Sequence, residues 1–179
     1  MCKSEIRIGG SGGQGILLAG VILAEGAINE GKNAVQTQSY GPEARGGASK
    51  SEVIISSDEI DFPKVTKCDV FLALTQTAYE KYSKDLNNDN ILIVDKSVEV
   101  NTQGKSTVYS LPIIETAVDV IKKPIVTNIV ALGAISALTE VVSRDTLEKS
   151  ILYRVPKGTE ELNKDALNKG YEMGKKLLN

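Results

Sequence analysis

Five of the seven residues from position 9 to position 15 are glycine: Gly9-Gly10-Ser11-Gly12-Gly13-Gln14-Gly15. Before them, Ile6 and Ile8 alternate with Glu5 and Arg7, the pattern of a short strand. After them, the run Ile16 to Ala24 is broken only by Gly20, and Ile16, Ala19, Gly20, Leu23 and Ala27 share one helical face. The first turns are apolar all round, so this helix is expected to be deeply buried, with Gly31 at its C-terminal end. Strand, glycine loop and buried helix open a nucleotide-type α/β fold.

The rest of the chain supports that class. Ala34 to Ser39 reads as a second strand and Glu52 to Ser56 as a third. No crossover helix fits between them, so the third is expected to run antiparallel to its neighbour. Asp69 to Thr75, Ile91 to Asp95 and Ser106 to Leu111 read as further strands, with a helix from about Thr77 to Leu86. The last third reads as helical, over Pro112 to Ile121, Asn128 to Val142, Ser143 to Ile151 and from Thr159 onward. Gly133, Ala134 and Ala137 would let another element approach the second of these closely. Ser143 and Thr159 are expected to cap the two helices that follow them. Glu160 and Glu161 at the start of the last helix, and Lys175 and Lys176 at its end, suit the helix dipole. Asn128 is expected to cap its own helix, and Asp95 to form a turn. The 179 residues show no linker or internal repeat, so residues 1–179 are expected to form a single domain.

Gly10-x-Gly12-x-x-Gly15 matches the dinucleotide fingerprint in the right strand–loop–helix context. Glycines let a backbone approach phosphate, and a helix N-terminus offers free N–H groups. A ribose-holding carboxylate is missing, however, because the second strand ends Gln36-Thr37-Gln38-Ser39. Nor is this a Walker A loop, since Gln14-Gly15-Ile16 stands where Gly-Lys-Ser/Thr belongs. Two readings stand at this level: an anion or nucleotide cradle, or a tight turn that serves helix–sheet packing. The second loop, Tyr40-Gly41-Pro42-Glu43-Ala44-Arg45-Gly46-Gly47, sets an aromatic ring, a carboxylate and a guanidinium after a strand end, where ligands bind in open α/β sheets. Arg45 suits a carboxylate or phosphate, Glu43 a cation or Arg45 itself, and Tyr40 a base or an interface. Two such loops after successive strands are expected to face one cleft.

Several chemistries are excluded by what the sequence lacks. It contains no histidine, so it holds no Ser-His-Asp or Cys-His machinery and no HExxH zinc site. Its two cysteines, Cys2 and Cys68, are too few for an iron–sulfur cluster or a structural zinc. Cys68, just before an apolar strand, reads as an inert buried thiol, and Cys2 as an exposed, incidental one. A formal charge of −2 gives no footprint for nucleic acid or an anionic membrane. The longest apolar run is far short of the ~20 residues of a membrane span, and the N-terminus has no secretory signal pattern. A cytoplasmic protein is expected.

Taken together, Gly12-Gly13-Gln14-Gly15-Ile16 and Gln38 to Gly47, followed by Ser49 and Ser51, resemble the gamma subunit of 2-oxoacid:ferredoxin oxidoreductases. The resemblance continues through Asp69-Val70, Asn128, Leu132-Gly133-Ala134, Asn163 and Gly170. The version of the second loop from Tyr40 to Gly47 is similar to that of the 2-oxoglutarate branch. This resemblance implies a three-layer α/β/α sandwich around a Rossmann-like mixed, mostly parallel sheet. It implies a subunit without catalytic residues or metal of its own, working with alpha and beta subunits, and a delta subunit, that hold thiamine diphosphate and iron–sulfur clusters. The whole complex would convert a 2-oxoacid and coenzyme A to acyl-CoA and CO2 while reducing ferredoxin. Gly12, Gly13, Gln14, Gly15, Tyr40, Glu43, Arg45, Gly46 and Gly47 are the expected contacts to coenzyme A. The alternatives are a stand-alone nucleotide-binding protein, a gamma subunit for pyruvate or another 2-oxoacid, and a scaffold whose loops only meet other subunits.

Overall fold

A computed structural model describes residues 3–39, 47–101 and 106–178. Six strands form one sheet in the order β2-β3-β1-β4-β5-β6. They are β1 (Lys3–Ser11), β2 (Asn33–Ser39), β3 (Ala48–Ser56), β4 (Cys68–Ala73), β5 (Leu86–Asp95) and β6 (Thr107–Leu111). β1, β4, β5 and β6 pair in parallel, whereas β3 pairs antiparallel with both β1 and β2. Five strands therefore point one way and β3 alone is reversed. The sheet is mixed and mostly parallel, and β3 has the expected orientation.

The helices are α1 (Ile16–Asn29), α2 (Gln76–Tyr82), α3 (Ile113–Glu115), α4 (Thr127–Thr139), α5 (Arg144–Arg154) and α6 (Glu160–Lys176). α3 widens into a π-type turn at Thr116–Val120, and a 3-10 turn, Pro124–Val126, leads into α4. The two faces of the sheet are unequally covered. Ile6, Ile8, Val53, Ile55, Val70, Leu72 and Ile93 point into a large core shared with α1, α4, α5 and α6. The alternate residues Phe71, Ala73, Leu92 and Val94 point the other way, into a small cluster with Tyr79 of α2 and Val98. The three layers are present, but one outer layer carries most of the helices.

The thin face is held by charge. Arg7, 2% exposed, lies on that side of β1. It donates to both carboxylate oxygens of Asp85 at 2.5 and 2.9 Å, to Glu52 Oε1 at 2.7 Å and to the Tyr82 carbonyl at 2.6 Å. One guanidinium thus ties β3, the end of α2 and the entry to β5 to the central strand. Removing Glu52, the nearly buried partner, would leave the guanidinium short of one counter-ion and cost up to ~3 kcal/mol, whereas the half-exposed Asp85 contributes less.

The thick face is held by absent side chains. α4 is buried all round, and α6 crosses it at glycines. A Cβ on Gly170 would lie 2.0 Å from the Val130 carbonyl oxygen, and one on Gly133 would lie 2.2 Å from that of Leu167. Backbone meets backbone there, so a methyl group has no flexible neighbour to displace.

Several boundaries differ from those read in the sequence. β1 runs on through Gly9, Gly10 and Ser11, because β3 starts early, at Ala48, and pairs with it throughout. α2 stops at Tyr82, and Leu86 already belongs to β5, where it pairs with Cys68. α4 ends at Thr139, with Glu140 left-handed at φ 54°. Gly31 closes α1 with the two backbone bonds of a Schellman motif, Gly31 N–H to Ile28 and Lys32 N–H to Ala27. The Ser143 hydroxyl accepts from the Thr146 N–H as a cap should. Thr159 holds the N-cap position of α6 but does not cap it; its hydroxyl donates to the Pro156 carbonyl and accepts from Asn163 Nδ2 instead of a backbone N–H.

Glu30 joins the end of α1 to the start of α5. Burial pushes its carboxyl up, but hydrogen bonds from Lys32 and the Ser143 N–H outweigh this and hold it at about 2. A carboxyl depressed on folding adds stability above its ordinary value and loses it as pH falls through the folded value. Acid titration of unfolding should therefore show stability lost from about pH 4.5 down to about pH 2, with a smaller loss in Glu30→Gln. Gly170→Ala should cost roughly 3 kcal/mol or more in urea unfolding, at the upper end of overpacking effects. A neutral result would show that α6 can slide on α4.

Candidate functional site

The glycine loop leaves β1 at the end where the parallel strands finish. Ser11 is the last β1 residue paired, with Ala48, and the next residues outward are Gly12 and Gly47. Ser39, the last residue of β2, pairs with Lys50 close by. Both flanks of the second loop therefore lie at the same sheet end as the first. The reversal of β3 puts them there, and it brings Gly47 beside Gly12. Tyr40, Glu43, Arg45 and Gly46 lie outside the described residues.

Within the first loop the expected site residues divide by role. Gly12 and Gly13 are exposed, nothing lies within 4 Å of the positions their Cβ atoms would take, and Gly13 has φ 88°. They form the open tip. Gln14 turns inward, its Oε1 accepting from the Ser11 N–H at 2.8 Å, and closes the loop on itself. Gly15 is the N-cap of α1 with φ 70°. Its carbonyl accepts the first helical bond, from the Ala19 N–H at 3.0 Å. No side chain caps α1 and no acidic residue occupies its first turn. The early N–H groups of a 14-residue helix thus face the loop with their partial positive charge uncancelled, which suits an anion.

Asn128 has a different task from the one its sequence position suggests. The N-cap of α4 is Val126, and no side chain caps that helix. Asn128 sits in the first turn of α4, 3% exposed, and its Nδ2 donates to the Gly15 carbonyl at 3.2 Å. A Cβ on Gly15 would lie 2.6 Å from that nitrogen. Left-handed backbone and close contact together require glycine there. The Asn128 Oδ1 is buried without a hydrogen-bond partner among the described residues. Asn128 is thus a strut from α4 to the loop, and only its place among the family-like residues marked it in the sequence.

Asp95, at the end of β5, behaves as a turn residue. Its carboxylate accepts from the Ser97 N–H and hydroxyl, and also from the Ile114 N–H at the start of α3. Cys68 is fully buried, and its thiol donates to the Val70 carbonyl at 3.1 Å. Burial pushes this thiol up to about 12, so it is not a nucleophile at neutral pH. Cys2 lies outside the described residues. No helix among the described residues is long and apolar enough to cross a membrane.

A separate glycine loop and a glycine-flanked second loop, gathered by a reversed strand at one end of a mixed sheet, define a recognisable class. Residues 5–173 match the family described as pyruvate ferredoxin/flavodoxin oxidoreductase, and the chain belongs to that family. It is 53% identical over 179 residues to 2-oxoglutarate synthase subunit KorC of Methanocaldococcus jannaschii, covering 98% of this chain and 96% of that protein. It is 30% identical over 176 residues to pyruvate synthase subunit PorC of Methanothermobacter thermautotrophicus, covering 97% of each. Among solved structures, it resembles the gamma subunit of a keto/oxoacid ferredoxin oxidoreductase from Geobacter sulfurreducens, with a TM-score of 0.89, 50% identity and 97% of each chain covered. It also resembles a 2-oxoglutarate:ferredoxin oxidoreductase from Magnetococcus marinus with 2-oxoglutarate, coenzyme A and succinyl-CoA bound. That match has a TM-score of 0.88 at 26% identity and covers 98% of this chain but 32% of the other.

Asn128→Ala should cost about 1–2 kcal/mol of stability, the usual range for a lost buried hydrogen bond with its packing. Amides from Gly12 to Leu18 should exchange with solvent faster in that variant, read by hydrogen exchange. Unchanged exchange would show that Gln14 holds the loop by itself.

Proposed function

We propose that this chain is the gamma subunit of a multi-subunit 2-oxoglutarate:ferredoxin oxidoreductase. The complex would convert 2-oxoglutarate, coenzyme A and oxidised ferredoxin to succinyl-CoA, CO2 and reduced ferredoxin. The observation that carries this reading is the near full-length identity to a 2-oxoglutarate synthase subunit, 53%, against 30% for a pyruvate synthase subunit. It favours the subunit role over a stand-alone nucleotide-binding protein, and 2-oxoglutarate over pyruvate.

The chain's own residues fit a supporting part. With no histidine in the sequence and Cys68 locked in the core, its side chains offer neither an imidazole base nor a set of cluster ligands. Thiamine diphosphate and iron–sulfur clusters are therefore assigned to alpha, beta and delta partners, as a single cytoplasmic assembly. The contribution of this chain, one domain over residues 1–179, is at the coenzyme A entrance. Gly12 and Gly13 leave the α1 N-terminus open to a phosphate, Gln14 keeps the loop closed, and Gly15 lets Asn128 brace it closely. Tyr40, Glu43, Arg45, Gly46 and Gly47 are assigned as the second loop's contacts to coenzyme A, with Arg45 as the charged anion contact.

Two measurements test this. Co-expression with the partner subunits should give coenzyme A-dependent ferredoxin reduction that is lost when this chain is omitted; full activity without it would refute the role. In the assembled complex, Arg45→Ala should raise the KM for coenzyme A about tenfold or more, the size of a lost charge-assisted hydrogen bond. The KM for 2-oxoglutarate should stay unchanged. Equal shifts in both would make Arg45 an interface residue.

A further inference from the structure

Between β6 and α4 the chain forms a rigid, exposed, apolar hump. Val118, Val120 and Ile125 are exposed, the last two at 59% and 77%. Flexible loops often show apolar residues to water, but this segment is fastened internally. The Ile121 N–H donates to the Thr116 carbonyl at 2.9 Å, and the Lys123 N–H to that of Ala117 at 2.8 Å. The Val126 N–H donates to the Lys123 carbonyl at 3.1 Å, and the Thr127 hydroxyl to that of Pro124 at 2.7 Å. Lys122 is held at φ 60°, a left-handed conformation unfavourable for a lysine. Neither Lys122 nor Lys123 has a carboxylate partner among the described residues. Preorganised apolar side chains rimmed by unpaired charge are what a protein interface needs, because little entropy remains to be lost on binding.

The hump's position and two relatives point to an occupant. Ile125 is three residues before Asn128, whose side chain supports Gly15, so the hump lies at the glycine-loop end of the sheet. A fold like this one forms 32% of a longer chain in the enzyme structure with 2-oxoglutarate and coenzyme A bound. In the archaeal relative the same unit is a subunit of about this chain's length. Surfaces that meet within one polypeptide in the first case must meet between polypeptides in the second.

We infer that the Val118–Ile125 hump is the docking surface for the larger subunit of the oxidoreductase. That subunit would present an apolar hollow edged by carboxylates to Lys122 and Lys123. This rests on the proposed function and adds the surface to it. Docking there would seat the partner at the strut that holds the glycine loop, so the coenzyme A entrance would be completed by two chains.

The test uses the co-expressed complex. Val120→Lys/Ile125→Asp should leave the melting temperature of the isolated chain nearly unchanged, since both side chains are already in water. It should weaken association with the larger subunit about a hundredfold or more, as loss of two interface hot spots does. Tyr153→Asp, at an 84% exposed residue on α5, should associate normally. A hump variant that assembles like the unaltered chain overturns the inference while leaving the gamma-subunit reading intact. An unaltered chain that never associates with the larger subunit overturns both. If light scattering shows the isolated chain dimerising through the hump, and the double variant is monomeric yet still assembles, the surface belongs to a second copy and the inference fails.

Discussion

The reversal of β3 is the constraint on which the arrangement depends. Parallel neighbours need a crossover of a dozen residues or more, usually a helix. Only eight residues separate β2 from β3, so the chain must turn back and β3 must run against every other strand. Having returned, it lies beside β1 along its full length and holds the start of the glycine loop in an antiparallel ladder. A Rossmann-like sheet with a helix between β2 and its neighbour would carry the second loop's end away to the opposite edge. Here both loops start and finish at one end.

That single edge is stabilised differently from its two sides. On the thin side, Arg7 gathers two carboxylates and a carbonyl beneath α2. On the thick side, α4 is pressed onto α6 at glycines and carries Asn128 to the loop. The loop's geometry is thus coupled to helix packing through one side chain. An acceptor beneath it with no partner among the described residues, the Asn128 Oδ1, is the polar cost of putting an amide there.

The class of fold was legible because its strongest signals are local. Alternation at Ile6 and Ile8, five clustered glycines and an apolar helix specify strand, loop and buried helix without knowledge of the rest. The antiparallel turn of β3 was legible from loop length. What sequence could not show was pairing at a distance. β1 and β3 extend into glycine-containing segments because each supplies the other's hydrogen bonds, and β5 starts at Leu86 because Cys68 is its partner. Asn128 looked like a cap because it opens a helical run; its true partner, Gly15, is 113 residues away. Thr159 has the position and chemistry of a cap, yet its hydroxyl donates to the Pro156 carbonyl and its oxygen accepts from the Asn163 side-chain amide.

The electrostatic shifts in the fold share a direction. Glu5, Glu30, Asp85 and Glu140 hold their protons less tightly than usual, while Arg7, Arg154, Lys164 and Lys175 hold theirs more tightly. The Cys68 thiol, pushed up to about 12, moves away from neutrality as well. With no imidazole in the sequence, none of these groups gains or loses charge as the surroundings drift around neutral pH. These groups are then a background of constant charge, against which a neutral-pH titration of an assembled enzyme reports on other groups.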